Sequence, residues 1–224
     1  MDTLEKLLDT KDPAWPEMQE WLEDAEGRVE LLPRDPATSE ATLLHLQVST
    51  HSVLGALAWE TGGLIVDQRV RVLGGGNAQA KASLRSWNGG GTEGFVVERG
   101  LVRVGFDAFG GVFALDGGAL GKGDGAVHYF APDALAWQPL HVGHSAWVHW
   151  LLTEEDRVAG FYESFTWPGA DEALAPMAFD DALAFVPPPW SKEGADLASA
   201  NRRVVPAREL VAMLMDHSKQ LHRR

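Results

Sequence analysis

Trp15, Met18, Trp21, Leu22 and Ala25 recur at the three-and-four spacing of one helix face, with Asp12 and Pro13 ahead of them as cap and first-turn proline and Gly27 as a stop. A second helix is predicted from Thr38 or Ser39 through Leu43, Leu44, Leu46 and Gln47, with Glu40 near its positive end. The texture then changes. Short apolar runs at 53–60, 64–67, 70–73, 94–98, 101–106, 112–115, 127–130 and about 135–140 read as consecutive strands. Nineteen of the 24 glycines fall between residues 55 and 125, which puts the tight turns of a meander there, one of them a hairpin at Phe109-Gly110-Gly111. Helical spacing returns at 145–152 and 155–165 through Trp147, Trp150, Leu151, Val158, Phe161, Tyr162 and Phe165. Pro187-Pro188-Pro189-Trp190 reads as extended, 191–200 as loop, and a last helix starts near Pro206 with Leu210, Val211, Leu214 and Leu221.

Helices grouped at both ends of a run of strands predict an α+β fold with a mostly antiparallel central sheet flanked by N-terminal and C-terminal helices. Residues 1–186 are expected to form the α+β domain, and residues 187–224 a Pro-rich linker and a C-terminal helix packed on it.

Composition narrows the function. With 32 acidic and 19 basic residues the 224-residue chain has a formal charge of −13, which opposes nucleic-acid binding and suits a basic protein partner. There is no cysteine, so disulfides, thiolate nucleophiles and thiolate metal sites are excluded. The longest apolar run, Val53 to Trp59, is far below the roughly 18 residues of a membrane span. Glu5, Lys6, Asp9, Lys11 and Asp12 stand where a signal peptide needs an apolar stretch, so a cytoplasmic location is expected.

Motifs for catalysis are incomplete. Gly117-Gly118-Ala119-Leu120-Gly121-Lys122-Gly123 lacks the first glycine and the final hydroxyl of a phosphate loop and lies between strands. Gly143-His144-Ser145-Ala146-Trp147 has tryptophan where a nucleophile elbow needs glycine, so Ser145 reads as a helix N-cap. His128, His141, His144 and His149 lack the i, i+4 spacing of a helical metal pair, and neither metal nor cofactor is expected. Glu60, Asp67, Asp107 and Asp116 sit at strand ends, as turn residues or as an acidic rim for binding. Trp87 and Trp190 are the tryptophans most open to solvent by context. The candidate binding residues are therefore Glu60, Asp67, Trp87, Asp107, Asp116, His141 and His144, with no catalytic residue. A non-catalytic protein gripping a basic protein partner is the favoured reading. The alternatives are a small-ligand binder or enzyme using His and carboxylates at the sheet edge, or a homodimer formed through exposed aromatics.

Asp12-Pro-Ala-Trp15-Pro, Trp59-Glu-Thr-Gly62-Gly63-Leu-Ile-Val-Asp67, Val72-Leu-Gly-Gly-Gly76, Gly105-Phe-Asp107-Ala-Phe-Gly110-Gly111-Val-Phe-Ala, Tyr129-Phe-Ala-Pro-Asp133-Ala-Leu-Ala-Trp137 and Phe161-Tyr162 with Trp167 together resemble a bacterial family known as domain of unknown function 2625. The resemblance spans nearly the whole chain and implies no activity. The 105–114 stretch is also similar to the SUKH superfamily, which implies an α+β immunity-like protein that binds a nuclease toxin. SUKH proteins often have a polar residue where this chain has Val112, and the tail after Trp167 has no counterpart in that pattern.

Overall fold

A computed structural model of the chain describes residues 1–90 and 98–222. Most of the strand expected at 94–98 lies outside the described residues. A seven-stranded sheet runs in sequence order: β1 (Val29–Leu32), β2 (Gly63–Val66), β3 (Val70–Leu73), β4 (Leu101–Asp107), β5 (Val112–Asp116), β6 (Val127–Ala131) and β7 (Ala136–Pro139). Every neighbouring pair is antiparallel, and among the described residues β1 and β7 are the two edges. β8 (Asp181–Val186) and β9 (Asn201–Pro206) form a separate antiparallel pair. The helices are α1 (Leu4–Leu7), α2 (Trp15–Asp24), α3 (Pro36–Leu46), α4 (Val53–Glu60), α5 (Leu84–Trp87), α6 (His144–Thr153), α7 (Glu155–Phe161), α8 (Ala170–Leu174) and α9 (Ala207–His222). The architecture is α+β.

Local chemistry explains the turns. Asp67 and Gln68 have φ of 48° and 57°, and Arg69 N–H donates to the Val66 carbonyl, which is a type I′ turn matched to the sheet's twist. The β4–β5 hairpin turns at the expected glycines, with Gly110 at φ 91°.

The sheet is covered on both faces. Gly105 opposes Phe113 in the register, and the Trp147 ring of α6 lies where a Gly105 side chain would stand. Phe113 packs on Trp147 and Tyr129, so α6 sits directly on this face. On the other face Phe106 stacks on Trp87 of α5 at 4.4 Å and meets Phe179 edge-on. α9 packs on β8 and β9, and its Leu210 and Leu214 press on Gly110.

Several expectations are corrected. Residues 53–60 form a helix, not a strand. Ser52 caps it by accepting from Gly55 N–H at 3.1 Å, and five of its residues are buried on several sides, which erases the periodicity that separates helix from strand. α2 starts at Trp15 with Pro16 in its first turn, leaving Asp12 and Pro13 outside it. α3 starts at Pro36, capped by Asp35. The N-cap of α6 is Gly143, and Ser145 is an exposed residue inside the helix. The predicted 155–165 helix ends at Phe161 and passes into a 3-10 turn at Glu163–Phe165. Pro187-Pro189 turn rather than extend, with Ser191 N–H donating to the Pro188 carbonyl at 2.9 Å. β1, β8 and β9 are strands beyond those expected.

An added methyl at residue 105 would stand 2.8 Å from Trp147 Cη2 and 2.9 Å from the Arg71 carbonyl oxygen. Gly105→Ala is expected to destabilise the protein by about 1–3 kcal/mol through overpacking. Urea unfolding checks it as a lower midpoint at unchanged slope.

Candidate functional site

The seven candidate residues do not form one rim. Antiparallel register puts Asp67 and Asp107 at one end of the sheet and Asp116 at the other, where β2, entered from Glu60 at the end of α4, also begins. Each of the three aspartates is committed to local structure. Asp107 is fully buried; its Oδ1 accepts from the N–H groups of Phe109 (2.9 Å) and Gly111 (2.7 Å), and its Oδ2 from the hydroxyls of Tyr129 (2.6 Å) and Tyr162 (3.2 Å). Burial raises its carboxyl pKa against the pull of these donors. Asp116 accepts from the N–H groups of Gly118, Leu120, Lys122 and Gly123, and these bonds, that of Leu120 foremost, hold its carboxyl far below the usual range.

Asp116, Asp124 and His128 offer ligand atoms within 4.8 Å of one another, a grouping able to hold a metal ion. Yet two amides already point at each Asp116 oxygen, which fills the carboxylate's roughly four lone-pair positions. Its chemistry is that of a loop organiser. His141, exposed with φ 58°, lines a shallow cleft with Asp124 beside this loop. His144 is the first residue of α6, its two ring nitrogens buried without a partner among the described residues, and burial lowers its pKa to about 4. Trp87 is buried against Phe106 rather than solvent-exposed, because α5 lies flat on the sheet. Trp190 is half-buried, its ring 5.5 Å from that of His217.

Asp67 leads to a surface that the sequence did not disclose. Arg28 Nε and Nη2 donate to the two Asp67 oxygens at 2.9 and 2.6 Å, and the same guanidinium reaches the Leu151 and Leu152 carbonyls of α6. The Asp67 hydrogen bond raises the Arg28 pKa, keeping the clamp charged. This clamp fixes the start of the edge strand β1. The Arg28 and Leu32 carbonyls accept from Asp67 and Gly62 N–H, so strand alternation turns the backbone of Val29 and Leu31 away from β2, toward the open edge.

Beside that edge, Trp15, Gln19, Leu22, Glu23, Glu26 and Leu31 line a groove of about 440 Å³ between α2 and β1. Leu31 is 47% exposed. Glu17, Glu20, Glu23, Asp24, Glu26 and Glu30 all stand exposed along α2 and β1. None is in an ion pair among the described residues. The arrangement is an open strand edge, an apolar floor and an unneutralised acidic border.

The chain belongs to the family described as "Protein of unknown function DUF2625", whose model matches residues 4–210. It is 36% identical over 214 residues to the putative uncharacterized protein YbfG of Escherichia coli (strain K12), covering 95% of each chain. It is 29% identical over 189 residues to an uncharacterized protein of Haemophilus influenzae, covering 84% of this chain and 82% of the relative. No solved structure matches. Among the described residues no helix is long and apolar enough to cross a membrane.

His144 generates a pH prediction. A histidine with a folded pKa of about 4 contributes stability that is present above the unfolded value of 6.5 and is lost as pH falls toward 4. His144→Phe is expected to match the wild type at pH 7.5 and to lose about 3 kcal/mol less than the wild type between pH 7.5 and 4. Urea midpoints of the two proteins measured across that range check it.

Proposed function

We propose that this protein is a non-catalytic binding protein whose partner presents a basic, extended segment to the β1 edge. The observation that carries the reading is the open edge of β1 beside an apolar groove bordered by acidic side chains that have no ion-pair partner among the described residues. An added strand would find the outward N–H and C=O groups of Val29 and Leu31, an apolar side chain would seat against Trp15, Leu22 and Leu31, and lysines or arginines would meet Glu23, Glu26 and Glu30. Charge also selects the partner. A second copy paired on the same edge would bring two sets of these acids together, which opposes self-pairing. A net charge of −13 speeds encounter with a basic protein and disfavours nucleic acid.

The reading agrees with the aspartates being structural and with Asp116 being saturated by backbone donors, which removes it from acid–base work. An immunity-like role against a basic nuclease, implied by the resemblance to SUKH proteins, is one form of the same activity and rests on that resemblance alone.

Affinity capture from the native lysate, with wild type and Glu23→Lys/Glu26→Lys/Glu30→Lys in parallel, tests the proposal. The wild type is expected to retain a basic protein that is released as salt rises. The triple variant is expected to lose at least tenfold of it while keeping its melting temperature. Capture of the same protein at equal yield by the variant would overturn the assignment.

A further inference from the structure

A second cavity, of about 190 Å³, lies between α3, the Gly74-Gly75-Gly76 turn and α5, and its wall has the opposite electrostatic character. Among the described residues its charged lining is Lys81 and Arg85, with no carboxylate on the wall, in a chain where acids outnumber bases by 32 to 19. Neither cation is in an ion pair among the described residues. The nearby Asp180 is not on the wall; its carboxylate is held by the N–H groups of Lys81 and Ala82 at 2.9 and 2.7 Å, which pins the segment that carries Lys81.

Three carbonyl oxygens around the cavity are hydrogen-bonded. Thr38 Oγ1 donates to the Gly76 carbonyl at 2.6 Å and Thr42 Oγ1 to the Gly75 carbonyl at 3.2 Å. Ser86 Oγ donates to the Lys81 carbonyl at 2.9 Å. Gly75 on this wall lets α3 approach closely, since a methyl there would stand 2.7 Å from the fully buried Ser39 Oγ and 2.6 Å from the Ala58 carbonyl oxygen. Gly90 lets the Arg85 stem lie across it, since a side chain there would overlap Arg85 Cγ. The guanidinium is thereby placed by the absence of a Cβ.

We propose that this cavity binds a phosphoryl group, as orthophosphate or a small phosphomonoester, with Arg85 and Lys81 as its charged ligands. Two cations balance a dianion, and a guanidinium fork matches phosphate oxygens bidentately. The volume falls below the roughly 300 Å³ at which drug-sized ligands begin to fit, which limits the ligand to the phosphoryl group and a few further atoms. The proposal is independent of the β1 edge, since different residues carry it.

Isothermal titration of the full chain with sodium phosphate and, separately, glycerol phosphate, at constant ionic strength in chloride, tests it. Saturable binding is expected for the wild type. Arg85→Ala/Lys81→Ala is expected to weaken it at least tenfold. Gly90→Ala, which keeps both charges but displaces Arg85, is expected to weaken it severalfold, with melting curves confirming that all variants fold. Tighter binding of the ester assigns an esterified ligand, and equal or weaker binding assigns the free anion; both support the site. Absence of saturable heat from either probe, or equal affinity in the double variant, would overturn it.

Discussion

The buried carboxylate of Asp107 ties together parts of the chain that nothing local would bring into contact. A fully buried carboxylate needs several donors to offset the loss of water, and here two come from its own hairpin and two from tyrosines 22 and 55 residues away. The central hairpin, strand β6 and the end of α7 are therefore fixed to one another by a single group. No side chain fits at Gly111, because its place is taken by the Asp107 carboxylate and the Tyr129 ring. Phe109, held by the same turn, stacks on Phe165 at 4.8 Å and meets Trp167 and Phe185, which carries the constraint into the C-terminal segment.

The two surfaces assigned a binding role are by-products of how that sheet is covered. α6 occupies one face because Gly105 leaves room for Trp147, and α2 packs beside α6. Val29 is half-buried and Leu31 exposed, and the groove between α2 and β1 remains beside the strand edge. The Arg28–Asp67 clamp then holds β1 at the margin without supplying a cation to the groove, since the arginine is spent on Asp67 and the carbonyls of α6. On the far side of α4, α3 meets the glycine turn and α5, and a small cationic cavity remains between them. Separation of charge is a consequence: an acidic border at the first strand, a basic pocket at the glycine turn.

Most strands of the sheet were legible as sequence because their glycine turns and apolar runs are local features. The 64–67, 70–73, 101–106, 112–115 and 127–130 runs match β2 to β6 within a residue or two. The helix at 53–60 was not, because Val53-Leu-Gly-Ala-Leu-Ala-Trp59 is apolar all round, and an element buried on several sides loses the polar positions that would show its period. β1 lies between two helices rather than within the glycine-rich run of the other strands, and β8 and β9 pair across a proline turn that reads as linker.

Of the candidate site residues, the turn role of Asp107 and Asp116 was readable, since aspartate at a strand end bonds its own backbone, whereas Asp67 stands in a turn but gives its carboxylate to Arg28. Their partners were not: Tyr129, Tyr162 and Arg28 lie far from them in sequence. By itself the sequence determined the fold class, the order of most elements, the excess of negative charge and the absence of thiol chemistry, all of which depend on residue type and short-range spacing. Only the tertiary structure decided that α2 leaves a groove at the open edge of β1, and that Lys81 and Arg85 share a wall with Ser39 behind it. Those arrangements depend on which faces of separate elements meet, and side chains distant along the chain set that through packing that no local pattern encodes.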